Sequence, residues 1–216
     1  MKHRILGVLQ DITERRDAQE KQALLSGELA HRVKNILAIV QSIANQTLTE
    51  STSMKKALQD FSVRLNALAH AQDILTQGAT NSADLKQIVE SSLDIHDKTK
   101  KRFIISGPPV SLSPQTALSM ALALHELSTN AVKYGALSSK NGIVEINWTL
   151  DKDEFHFSWR EKDGPTVYQP TKLSFGSKLI KRLLPARFNG HAELNYAPEG
   201  FSFELKAPRT AENFPG

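Results

Sequence analysis

Glu126 and Asn130, four residues apart in the stretch His125–Leu137 (HELSTNAVKYGAL), have the types and spacing to do chemistry together. On a helix that spacing puts both on one face, aimed at one spot. A carboxylate and an amide oxygen converging there suit a hard, oxygen-loving cation and its water shell, the usual way Mg²⁺ is presented to a nucleotide. The surrounding run is apolar (Met120, Ala121, Leu122, Leu124, Leu127, Ala131, Val132), so the pair does not belong to an ordinary solvated face. Gly135 then ends the helix, where a backbone free to take positive φ is wanted.

Two further spots have nucleotide-like chemistry. Phe175-Gly176-Ser177 lies at a helix start, where free N–H groups and the helix dipole favour a phosphate. A glycine before a helix is also a common purely structural device. Glu161 follows the strand ending in Trp159, where a loop leaves the sheet. A carboxylate there can accept a hydrogen bond from an adenine amino group, or be simply an exposed strand-end acid.

His31 sits on a long amphipathic pattern. Leu29, Val33, Ile36, Val40, Ile43 and Thr47 recur at alternating spacings of four and three, the seam of a coiled coil or helical bundle. His31 falls opposite that seam, among Gly27, Glu28, Lys34, Asn35 and Ala38. It reads either as a solvated histidine or as a nucleophile, since neutral imidazole is available near physiological pH and can attack a phosphoryl group.

The elements that must position these residues follow from the same patterns. His3–Gln10 alternates like a short strand, and a proline-free helix runs from about Asp11 to Leu48. Thr49–Ser53 reads as a loop, and a second amphipathic helix carries Phe61, Leu65, Leu68 and Leu75. Two antiparallel helices cannot bury both stripes alone, so pairing with a second copy would make a four-helix bundle. The remainder reads as α/β. Ser82 or Asp84 caps a helix running to about Lys98, and Arg102–Ser106 is a strand ended by Gly107-Pro108-Pro109. Ser113-Pro114 opens the helix of Glu126. Ile143–Leu150 with Glu154–Trp159, and His191–Tyr196 with Phe201–Lys206, form hairpins. Helices on one face of a mixed sheet are the economical assembly, with the domain boundary around Gly78–Ala83.

Composition narrows the function. The 40% apolar content supports a core, and no segment is long and apolar enough to span a bilayer. The absence of cysteine removes thiolate metal sites and fits a reducing, cytoplasmic setting. A net charge of +4, from 27 basic and 23 acidic residues, is too weak for a nucleic-acid binder. The densest basic run, Lys98–Arg102, lacks aromatic neighbours for base stacking and reads as a solvated loop.

Taken together, the blocks resemble the HWE family of bacterial sensor histidine kinases. Glu28–Asn35 (ELAHRVKN), continuing through Gln41–Ala44, is similar to the family's phosphoacceptor box; Phe61–Ala71 is similar to the second helix of its dimerisation and phosphotransfer domain. His125–Ser138 resembles its N box with the leading His, Trp159-Arg160-Glu161 its Trp-x-Glu signature, and Phe175–Ile180 its second glycine box. The resemblance runs from about Glu28 to Pro208, with the blocks in family order.

The resemblance implies an α+β protein: an antiparallel helical hairpin, half of a four-helix bundle if dimeric, then an α/β sandwich of the gyrase/Hsp90/histidine kinase type. It implies ATP and Mg²⁺ as cofactors and autophosphorylation of His31. The phosphoryl group would then pass to an Asp of a response regulator. Asn130 would bind Mg²⁺, Glu126 would organise the metal's water, and Lys133 would approach the phosphates. Glu161 would recognise adenine, and Gly164 and Gly176 would let the backbone approach the nucleotide. The domains implied are 1–14, a remnant of a PAS-type sensor carried by Gly7–Arg16; 15–80, the hairpin; and 81–216, the ATP-binding domain. On this reading the chain is a piece of a longer protein. A homodimer through the hairpin is the implied assembly, and a phosphotransfer or docking module with a degenerate ATP site is the alternative.

Three departures stand out. Asp163-Gly164 occupies a place where the family often has two glycines, so a less flexible loop is expected there. Pro185 should end or kink the helix near Leu184. Residue 32 is Arg, leaving the base for His31 unassigned, with Glu28 the nearest candidate or else a solvated partner of Arg32 or Lys34.

Overall fold

A computed structural model describes residues 13–50, 53–77, 82–93, 101–170 and 175–215. The strand expected at His3–Gln10, the sensor-like start of the chain up to Ile12 and the loop around Gly78 lie outside them, as do the side chains of Glu28, His31, Arg32 and Asn35. The chain divides into two compact units, one ending at Asn45 and the other beginning at Gln46.

The first unit is helical throughout its described part. Helix α1 runs from Thr13 to Glu50, two residues past the expected stop at Leu48, and its C-terminal turns cross into the second unit. His31 lies on it. Leu29 and Val33 of the expected seam are exposed, and so is Leu37 beside it.

The second unit holds everything else. Helix α2 (Met54–Gln77) packs on α3 (Leu85–Leu93) and α4 (Pro114–Lys133). Among its described side chains Ala57 and Leu68 are buried, with Phe61 and Arg64 half-buried between them. Phe61 and Leu68 lie on the expected face, but Leu65 is exposed and the neighbouring Arg64 turns toward α4 in its place; Leu75 lies outside the described side chains. Asp84 caps α3 by accepting the Gln87 N–H at 3.0 Å. A two-stranded pairing of β1 (Ala83–Asp84) with β3 (Ser111–Leu112) was not legible in such short segments.

The main sheet is mixed. Its order is β2 (Phe103–Ser106), β4 (Ile143–Leu150), β5 (Glu154–Lys162), β7 (Gly200–Pro208), β6 (His191–Ala197); only β2 and β4 are parallel. Along β5 the side chains alternate. Phe155, Phe157, Trp159 and Glu161 are buried, while Arg160 and Lys162 on the opposite face pair with Glu204 and Glu145. The buried row meets Phe203, Phe188 and Phe214, with Phe155–Phe214 centroids 5.0 Å apart. Helix α4 begins at Pro114 after an extended Ser113, whose hydroxyl pairs with Thr116 and not with a backbone N–H.

The regular α-helix is interrupted just before Leu184, in keeping with the end or kink expected from Pro185. Helix α5 (Phe175–Lys178) passes through a π turn, Leu179–Leu183, into α6 (Leu184–Arg187), and Pro185 falls in the first turn of α6. Proline is favoured at such a first helical position, where its fixed φ already suits the helix.

Candidate active site

A cavity of about 450 Å³ opens among α4, β5, the loop after β5 and the β6–β7 hairpin. Its size is that of a small-ligand pocket. Asn130, Gly135, Glu161, Ser177 and Tyr196 line it, and Tyr134 and Tyr168 add two rings that are otherwise exposed.

Glu161 is the buried acid of this cavity. It is 6% exposed, within β5 and paired with Val144, so it is neither a loop residue nor a solvated strand-end acid. Oε2 accepts the Ala136 N–H at 2.7 Å, and Oε1 accepts the Trp159 indole N–H at 3.2 Å. Trp159 reaches it because residues two apart on a strand share a face, a signal present in the Trp-x-Glu spacing. Burial pushes the Glu161 carboxyl above its ordinary value of 4.5, with the two N–H donors opposing the shift. Each oxygen keeps a lone pair for a further donor.

Helix α4 ends against this acid. The Tyr134 N–H bonds back to the Asn130 carbonyl, and Gly135 follows with a φ of −106°. The expected positive φ is not used. A Cβ there would have to displace the Glu161 carboxylate, whose Oε2 accepts the Ala136 N–H. Gly164 is equally constrained, since its Cβ would come within 2.7 Å of the Ala136 Cα. Beside it Asp163 takes the left-handed backbone (φ 56°) that a second glycine would take freely, a conformation Asp tolerates better than most residues.

Glu126 and Asn130 are placed differently from each other, although they share a face of α4. Asn130 lines the cavity. Glu126, 8% exposed, pairs through Oε1 with Arg64 Nε of α2 at 2.7 Å, and its Oε2 abuts Gly176, where a Cβ would have to displace the carboxylate. Arg64 also donates to the Thr47 hydroxyl at 2.7 Å. Nothing local in the sequence links Arg64 to Glu126. Lys133 is exposed on the last turn of α4. Gly176 is buried at the start of α5, and the adjacent Ser177 joins Tyr196 in the cavity wall.

The donor set fits a nucleotide better than a bare metal. Among the described residues no group of three or more His, Cys, Asp or Glu is placed to hold an ion. A cation beside Asn130 would therefore bring most of its oxygen ligands with it, as Mg²⁺ does when carried on phosphates.

The fold is that of histidine kinase domains. The blue-light activated histidine kinase of Erythrobacter litoralis superposes over 86% of this chain and 59% of its own, with a TM-score of 0.61 at 19% identity. The separate histidine kinase domain of that protein covers 82% of this chain and 85% of its own, with a TM-score of 0.59 at 15% identity. Residues 28–109 match the HWE histidine kinase family. Blue-light-activated histidine kinases of Brucella anthropi and Brucella ovis are each 40% identical over 98% of this chain. The chain belongs to the HWE histidine kinase family. It spans 44% of the length of those two relatives. Among the described residues no helix is long and apolar enough to cross a membrane.

Proposed function

We propose that the chain is the catalytic portion of an ATP-dependent protein histidine kinase, which phosphorylates its own His31 and passes the phosphoryl group to an Asp of a response regulator. The observation that carries the reading is the cavity with Glu161 held at its wall by two N–H donors and Asn130 beside it. Glu161 would accept the adenine amino group, and Asn130 would hold Mg²⁺ against the phosphates. Mg²⁺ when bound supplies charge neutralisation on the transferring group. A His31 ring nitrogen would form the new N–P bond as the bond from the γ-phosphorus to the bridging oxygen breaks, releasing ADP; the displaced imidazole proton goes to solvent. Lys133, exposed at the end of α4, would swing toward the phosphates. Gly164 and Gly176, both in tight quarters, keep the backbone close to the nucleotide. Glu126 would have to leave Arg64 to organise the metal's water.

The intact cavity disfavours a docking module with a degenerate ATP site. The exposed Leu29, Val33 and Leu37 on α1 support a homodimer through the helical hairpin, with residues 15–80 as the hairpin and 81–216 as the ATP-binding domain on this reading. Incubation with labelled ATP and Mg²⁺ is expected to give an acid-labile phosphoprotein. Equal labelling of His31→Ala would overturn the assignment of His31, and failure of Mg-ATP to bind at all would favour the docking module.

A further inference from the structure

The basic run Lys98–Arg102 reads in sequence as a solvated loop, yet its last member is half-buried and tied down. The Arg102 guanidinium donates from Nε to the Gly142 carbonyl at 2.9 Å and from Nη1 to that of Leu137 at 3.2 Å; Nη2 donates to Ala136 at 3.1 Å and also to Ser139. One planar fork thus closes the whole segment from Ala136 to Gly142, a use that needs the five donors of arginine. The 3₁₀ turn Ala136–Ser138 is the part of that segment that touches the cavity acid. Its first residue offers the N–H that Glu161 Oε2 accepts. Ala136 is also boxed in by Gly142 and Gly164, neither of which has room for a Cβ against it. Arg102 itself is fixed to the sheet, its carbonyl accepting the Val144 N–H at 2.9 Å, and Val144 pairs with Glu161 across β4 and β5.

We propose that Arg102 is a positioning residue for base selection: by locking the Ala136 turn it sets where the Glu161 carboxylate sits, and so how strictly the site takes adenine over guanine. The inference rests on the ATP-site reading above. Its chemical basis is the base edge. Adenine presents a donor N6 amino group, whereas guanine presents the O6 acceptor at the same position. A fixed carboxylate accepts from the first and repels the second, while a loosened one can move away from O6 or take a water between.

The test is competition of ATP and GTP against a fluorescent ATP analogue, for the unaltered chain, Arg102→Gln and Arg102→Lys, with Mg²⁺ present. Arg102→Gln is expected to lose about tenfold in ATP affinity with little change for GTP, so that the preference collapses; the loss in phosphorylation assays falls on KM for ATP. Arg102→Lys, able to reach one or two of the carbonyls, should fall between. An unchanged ATP:GTP ratio in the variants, or an equal loss for both nucleotides, overturns the proposal. Should Arg102→Gln not fold, the Lys variant decides it by the same ratio. If the unaltered chain binds neither nucleotide, the ATP-site reading fails first; if it prefers ATP and the variants keep that preference, only the role of Arg102 falls.

Discussion

Glu161 and Glu126 are buried to nearly the same degree, 6% and 8% exposed, but they are held by opposite means. Glu161 faces neutral donors, the Ala136 N–H and the Trp159 indole, both supplied by its own sheet and the turn packed on it. Glu126 faces a cation, Arg64, supplied by another helix. Neutral donors satisfy lone pairs without cancelling charge, so the acid in the cavity keeps a desolvated charge and its carboxyl is pushed up. An ion pair cancels the charge but makes the acid dependent on where α2 lies. The first arrangement fixes the acid within its own sheet. The second makes Glu126 depend on an element other than its own helix.

The largest expected effect tests the fixed end. Glu161→Ala removes the acceptor of two buried N–H groups, each costing roughly 1–3 kcal/mol when left unpaired. Relief of the buried charge offsets part of this, leaving a loss of about 2 kcal/mol in urea unfolding. ATP affinity should fall on the order of 100-fold, the worth of a hydrogen bond to a charged acceptor. Titration with the fluorescent analogue checks the second figure. A variant that binds within twofold of the unaltered chain would remove Glu161 from base recognition.

The next effect tests the paired end, by a double-mutant cycle on Arg64→Ala and Glu126→Ala. Breaking one side of a fully buried pair costs about 3–5 kcal/mol. Here the side chains keep 15% and 11% exposure, so about 2 kcal/mol is expected for Arg64→Ala in chemical denaturation. The double variant should be less damaged than the sum of the singles by about 1–2 kcal/mol. A coupling below roughly 0.3 kcal/mol would reduce the pair to a surface contact.

The two ends were not equally readable from the sequence. Trp159-Arg160-Glu161 lies on a strand, where period two fixes that Trp and Glu share a face, so one of the Glu161 contacts follows from spacing alone. The Glu126–Asn130 spacing was equally plain and gave the shared helix face, but not the fate of the Glu126 carboxylate. Arg64 lies 62 residues earlier in the chain, and Ala136 lies 25 before Glu161. Pairings of that kind are set by how elements pack, and nothing local specifies them. The same reason hid Arg102, whose four carbonyl partners begin 34 residues on. It also explains α2, where Leu65 had the better hydrophobic spacing and Arg64 took the more buried position. The hairpins of the main sheet and the start of α4 at Pro114, being local, came through.

The smallest effect is a pair of opposed pH slopes that only Glu161 should produce. Its folded carboxyl titrates above the unfolded value of 4.5, so between the two values the folded chain holds more protons than the unfolded one. Stability attributable to this group therefore falls as pH rises through that window, by no more than about 1.4 kcal/mol per pH unit, and recovers as pH is lowered. Nucleotide affinity runs the other way, because the ionised carboxylate is the stronger acceptor for the adenine amino group. Taking the difference between the unaltered chain and Glu161→Gln removes the titration of every other group. That difference should carry both slopes, with opposite signs, over one window. The same subtraction with Glu126→Gln should leave both slopes of Glu161 in place, since its acid is a separate one on α4. If Glu126→Gln erased them as well, the two carboxylates would titrate as one coupled system, and the contrast between the fixed end and the paired end would not hold.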